Sequence, residues 1–175
     1  AIDREGRFLA VSFGVMMGVW ELGGGRKRWL SERLPPGGFA TAVGLSPDGR
    51  ALVVGMLDGS VQGFDAQSGR RFLSRGGPPH SRSKILTVEF SPDGQHFAVA
   101  VEDRSLSVWT VSPFAPVWSK RLPSSVTALV FSPSGTQLAV ATADDGIAIL
   151  NPLRPKAPQA ATLRGNVSAV RALAI

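Results

Sequence analysis

The sequence predicts an all-β fold made of four repeating four-stranded units, and three observations predict it. A tight-turn tetrapeptide recurs at a nearly constant period. A short strand, apolar on both faces, follows each copy. A bulky residue then ends a further strand at a fixed distance from the turn.

The turn reads Ser46-Pro47-Asp48-Gly49, Ser91-Pro92-Asp93-Gly94 and Ser132-Pro133-Ser134-Gly135, with a weaker copy at Asp3-Arg4-Glu5-Gly6. The closing glycines lie 43, 45 and 41 residues apart. Proline presets φ, aspartate bonds its own backbone, and glycine accepts positive φ, so each copy suits a β-turn. The strand after it contains Leu9-Ala10-Val11, Leu52-Val53-Val54, Phe97-Ala98-Val99 or Leu138-Ala139-Val140. Runs of this kind suit strands covered on both sides. A second turn follows at Phe13-Gly14, Asp58-Gly59, Asp103-Arg104 and Asp144-Asp145. The next strand ends in Trp20, Phe64, Trp109 or Leu150, which lie 14, 15, 15 and 15 residues beyond the repeat glycine.

Another strand precedes each Ser-Pro turn: Ala42-Val43-Gly44-Leu45, Leu86 to Phe90, and Val126 to Phe131. Val170 to Ile175 match it again, and Ala1-Ile2 match its tail. A fourth, more polar strand begins near Arg26, Arg70, Val117 and Gln159. Four strands per period of about 40–45 residues is the pattern of a propeller blade. No segment carries sustained helical periodicity. The units span about 1–34, 35–78, 79–122 and 123–166, with an innermost strand of a further unit at 167–175.

The chain has 175 residues, 43% hydrophobic and 18% charged, a globular composition and not a disordered one. No apolar stretch is long enough to span a bilayer, so a membrane is not an expected partner. Cysteine is absent, which excludes a disulfide framework and a thiolate metal site or nucleophile. That usage fits a reducing, intracellular compartment such as the cytoplasm. The net charge is +6, and arginine supplies 15 of the 19 basic residues. A basic balance permits contact with acidic proteins or nucleic acid.

The phrase Leu45 to Arg50, the Asp58-Gly59 hairpin and Phe64-Asp65 together resemble a WD repeat. Val88 to Gly94, continued through Val108-Trp109-Thr110, resembles another, and the likeness runs through the whole chain. It implies that the strand before each Ser-Pro turn is innermost and the polar strand outermost. It also implies that the inter-blade connections and the second turns share one face of the disc, where protein partners dock. The departures are specific. The closing Trp-Asp pair reads Trp20-Glu21, Phe64-Asp65, Trp109-Thr110 and Leu150-Asn151. The Gly-His pair before the first strand is missing from three copies, and His80 takes its place in the third. Only that copy offers His80, Asp103 and Trp109 for the family's hydrogen-bonded network, and it lacks the serine. Stability is therefore expected to rest on packing between blades. WD propellers usually close with about seven blades, so these are expected to belong to a larger ring. Both ends should pair with β-structure from the rest of the polypeptide, from a second copy, or from each other.

The sequence carries no constellation for catalysis, a metal or a cofactor. His80 and His96 lack partners at metal-ligand spacing. Asp144-Asp145 and Glu102-Asp103 occupy equivalent hairpins, where turn chemistry explains them. Gly23-Gly24-Gly25 lacks the helix start and Lys-Ser/Thr of a phosphate loop and suits a hairpin connection. Arg26-Lys27-Arg28, Arg70-Arg71 and Lys120-Arg121 lie on the outermost strands, where charge discourages edge pairing. A basic rim for nucleic acid is the alternative, although only Trp29 stands near the first cluster as a stacking group.

The expected function is a non-catalytic scaffold for protein–protein interaction within a larger assembly. A propeller that forms part of an enzyme is a further alternative; inward-facing His, Arg or carboxylates on several innermost strands would mark it. The candidate partner-binding residues are Arg75, His80, Arg82, Asp58, Asp103 and Asp144. Those expected to hold the blades are Trp20, Phe64, Trp109, Leu150, Gly49, Gly94 and Gly135.

Overall fold

A computed structural model describes residues 1–30, 38–73, 82–144, 146–154, 161–163, 170 and 173. Every regular element among them is a strand, fifteen in all. The first sheet contains β1 (Phe8–Phe13), β2 (Met16–Glu21) and β3 (Arg26–Leu30). The second contains β4 (Ala40–Leu45), β5 (Ala51–Met56), β6 (Val61–Asp65) and β7 (Arg71–Leu73). The third contains β8 (Ile85–Phe90), β9 (His96–Val101), β10 (Ser105–Thr110) and β11 (Ala115–Arg121). The fourth contains β12 (Val126–Phe131), β13 (Leu138–Thr142), β14 (Ile147–Leu150) and β15 (Ala161–Leu163). Each sheet is an antiparallel meander in sequence order. The innermost position of the first sheet is taken by Ala1-Ile2. Ile2 bridges Leu9, and the amide of Ala10 donates to the Ala1 carbonyl at 2.8 Å. The further innermost strand expected at 167–175 falls outside the described residues, except for Val170 and Leu173.

One turn geometry repeats four times. The closing glycines Gly6, Gly49, Gly94 and Gly135 have φ between 67° and 70°. Each donates its amide to the carbonyl three residues back, at 2.8–3.0 Å. A left-handed φ costs an L-residue about 1–2 kcal/mol, which is why glycine recurs there. Ser46, Ser91 and Ser132 are buried, and their hydroxyls accept the amides of Ala51, His96 and Gln137. In the first blade Asp3 does this work. Its Oδ1 accepts the amides of Arg7 and Phe8, both at 2.7 Å, and its Oδ2 accepts Arg7 Nε at 3.1 Å.

Burial pushes the Asp3 carboxyl up, but the bonds from Phe8 and Arg7 and the Arg7 charge together hold it below the ordinary value. A depressed folded pKa contributes stability above the unfolded value, about 3.9, and that stability is lost as pH falls through the folded value. Asp3→Asn is therefore expected to destabilise the protein at neutral pH by roughly 1–3 kcal/mol. Melting curves of the two proteins should converge as the pH drops below about 4. A gap that is constant across the acid range would contradict this account.

The core lies between blades. Phe8, Ala10, Met17 and Val19 of the first sheet pack on Leu52, Val54, Met56 and Phe64 of the second. Val53 and Val61 of the second sheet pack on Ile85, Val88, Phe97, Val99 and Trp109 of the third. Ala98, Ala100, Leu106, Val108 and Trp118 of the third pack on Leu129, Phe131, Leu138 and Val140 of the fourth. Alternate residues of one strand thus serve two cores, because successive side chains point to opposite faces. β9 shows the division by size: Phe97, Val99 and Val101 face the second blade, while Ala98 and Ala100 face the fourth. The outer strands add clamps. The indole of Trp29 donates to the Ala66 carbonyl at 2.8 Å, and that of Trp118 to the Pro152 carbonyl at 2.7 Å, each in the next blade.

Candidate functional site

The second turns and the chain just before each innermost strand lie together. Leu57 donates its amide to Phe39 at 2.8 Å, Glu102 to Lys84 at 2.9 Å, and Ala143 to Ser125 at 2.9 Å. The first blade's hairpin is tied to the second blade instead: Ala40 of β4 donates its amide to the Gly14 carbonyl at 2.9 Å. One face of the disc is therefore built from equivalent hairpins, each tied to the entry of an innermost strand.

Of the candidate partner-binding residues, Asp58, Asp103 and Asp144 sit on these hairpins. Asp58 accepts the amide and hydroxyl of Ser60, at 3.0 and 2.6 Å. Asp103 accepts the Ser105 amide at 2.9 Å, and Asp144 accepts the Thr142 hydroxyl at 2.6 Å. These carboxylates thus brace their own turns. Arg82 is exposed and adjoins the Asp58 hairpin: a Cβ placed on Gly59 would lie 3.1 Å from Arg82 Cα. Arg75 and His80 lie outside the described residues, as does Asp145. The hairpin position held by Gly14 and Gly59 is held in the third blade by Arg104, at φ 75°.

Of the residues expected to hold the blades, Phe64 and Trp109 are buried, while Trp20 and Leu150 are half-buried. The Trp109 indole donates to Ser107 Oγ at 2.8 Å, within its own strand. The basic residues Arg26, Lys27, Arg28, Arg71, Lys120 and Arg121 are exposed on the outer strands. The Arg28 guanidinium lies 4.2 Å from the centre of the Phe8 ring.

Two features went unread in the sequence. The first is an apolar patch on the hairpin face. Phe13, Phe39 and Leu57 are 45%, 50% and 50% exposed, and the Phe39 ring reaches within 3.4 Å of the Cβ position of Gly14. The third and fourth blades put Lys84, Glu102, Ser125 and Ala143 at the equivalent sites, so an apolar residue in a polar turn was the available signal. The second feature is a cavity of about 530 Å³ at the opposite, Ser-Pro-turn end, walled by the innermost strands and containing Glu89. Burial raises the Glu89 carboxyl to about 7, against the opposing pull of the Ala1 α-ammonium. Among the described residues no group of three or more His, Cys, Asp or Glu is placed to hold a metal ion. None of their elements is a helix long and apolar enough to cross a membrane.

The WD domain, G-beta repeat family matches at residues 75–110 and 118–150. WD repeat-containing protein 1 of Bos taurus is 29% identical over 76 residues, covering 43% of this chain and 12% of that protein. WD repeat-containing protein 1-B of Xenopus laevis is 33% identical over 81 residues, covering 46% of this chain and 13% of that protein. The matched region is thus about an eighth of the relatives' length. A chain of a mitotic checkpoint complex superposes with a TM-score of 0.84 at 18% identity, covering 99% of this chain and 51% of its own. The Swd1 β-propeller domain of Myceliophteria thermophila gives 0.78 at 19%, covering 100% and 57%. Two matched repeats, similar WD-repeat proteins and four sheets of one blade geometry show that this chain carries WD repeats folded as β-propeller blades.

Proposed function

We propose that the chain serves as a non-catalytic scaffold within a larger protein assembly and that a protein partner docks on the hairpin face. The exposed Phe13–Phe39–Leu57 patch carries this reading. Three large apolar side chains held in water by rigid, hydrogen-bonded hairpins are costly unless a partner covers them. Asp58 and Arg82 flank the patch and supply a charged rim, the usual setting of an apolar interface centre. A propeller of more blades, completed by the same polypeptide or by another, fits the share of the neighbouring structures that these four blades cover.

The test pairs Phe39→Asp with Leu57→Asp. Both side chains are half in solvent, so the melting temperature should hardly move. Partners recovered with the unaltered protein by cross-linking should bind about tenfold more weakly or be lost. An unchanged set of partners at unchanged affinity would refute docking on this face. Loss of partners on Lys120→Glu and Arg121→Glu instead would put recognition on the basic outer edge.

A further inference from the structure

We propose that the cavity at the Ser-Pro-turn end is a binding pocket for a primary alkylammonium group, with Glu89 as its counter-charge. The inference is independent of the hairpin-face reading, since the two sites lie at opposite ends of the blades.

The position of Glu89 in the repeat is the first argument. Register equates Gly44, Glu89 and Val130 on the three innermost strands, opposite Val53, Ala98 and Ala139. Blade packing alone is satisfied there by a glycine or a valine, so folding does not require the carboxylate. The surroundings are the second argument. The cavity holds about 530 Å³ and its lining is mixed, with Val43, Val88, Phe90 and Phe131 beside Thr87 and Arg4. No side chain or backbone amide among the described residues donates a hydrogen bond to the Glu89 carboxylate. A half-buried carboxylate with no protein donor is less well stabilised when ionised than one in open water, and it gains by holding either a proton or a cation.

Charged groups near it are few. The Ala1 α-ammonium lines the cavity but is engaged with the Ala10 carbonyl at 2.9 Å, and burial lowers its own pKa. Arg4 lines the rim and is exposed. β4, β5 and β12, which pack on β8, carry no charged residue. β9 carries His96, whose charge acts on Asp93.

The pocket selects among cations. A single carboxylate falls well short of the six to eight oxygens that calcium takes. An ammonium is a compact point charge on an apolar stem, which matches one carboxylate beside the apolar side chains of Val43, Val88 and Phe131. A free small amine and the lysine side chain of a polypeptide share this chemistry. Only ionised Glu89 can bind the cation, so occupancy must displace the proton that burial favours.

The experiment is calorimetric titration of the intact chain with n-butylamine, with Nα-acetyl-lysine N-methylamide and with n-butanol. Saturable binding of butylamine, none of butanol, and loss of binding in Glu89→Gln are expected. Binding near pH 5.5 should be about 30-fold weaker than near pH 8, because most of the carboxyl is protonated there. If the blocked lysine binds as well, the natural occupant is a side chain; if only butylamine binds, it is a free amine. Glu89→Gln keeps the shape and volume of the side chain, and its melting curve is the folding control. The inference is overturned by butylamine binding that survives Glu89→Gln, that butanol reproduces or that ignores pH. Absence of butylamine binding overturns it equally.

Discussion

Replacing Trp109 by alanine is expected to destabilise the protein by about 3–5 kcal/mol, the largest single effect of any substitution considered. Trp109 is 5% exposed and sits in the core between the second and third blades. Its ring stacks on Phe97 with centroids 6.3 Å apart and an interplanar angle of 15°, and it meets Phe114 at 5.7 Å. Removing the indole opens a cavity whose walls are strands held on both sides, so little can collapse into it. It also strips the buried Ser107 hydroxyl of its donor. Trp109→Phe keeps most of the volume and loses only the hydrogen bond, so it should cost less, about 1–3 kcal/mol. Chemical denaturation of the three proteins checks the order. A Trp109→Ala protein as stable as its parent would show that this core does not hold the blades together.

Gly55→Val should have the next largest effect, a loss of roughly 1–3 kcal/mol or more through overpacking. Gly55 lies in β5 of the second blade, directly against Ile85 of the third. A Cβ there would stand 2.6 Å from the Ile85 Cβ, which is fixed to its own backbone and cannot swing aside. The strands would have to separate, and the core between these two blades would open with them. Gly23→Ala is the control, since nothing lies within 4 Å of its Cβ position. Equal melting temperatures for the Gly55 and Gly23 variants would contradict the tight contact between blades.

The blade pattern was legible because its signals are local. A Ser-Pro-Asp-Gly turn fixes its backbone through its own residues, and strand periodicity shows within six positions. The same locality let Ala1-Ile2 be read as the tail of an innermost strand, and the structure pairs them with Leu9 and Ala10. The hairpin carboxylates Asp58, Asp103 and Asp144 were placed on the face with the inter-blade entries, which is where they lie. Their engagement by neighbouring hydroxyls and amides was not visible, although Asp-x-Ser spacing at Asp58 and Asp103 hinted at it.

The candidate sites themselves were mostly illegible. The Phe13–Phe39–Leu57 patch draws on three separate stretches of chain, and each residue alone reads as an ordinary apolar position. Glu89 reads as the polar half of an alternating strand until the innermost strands are set side by side around a cavity.

By itself, then, the sequence determined the all-β class, the four turns, the strand order within each blade and the residues available for packing. Tertiary structure alone decided which alternating face of a strand meets which neighbouring blade, how Trp109 finds Ser107, and which side chains are left in solvent or in the axial cavity. The reason is range. Turn and strand preferences are energies between residues a few positions apart, whereas burial and desolvation depend on groups some forty residues away that only the stacking of blades brings into contact.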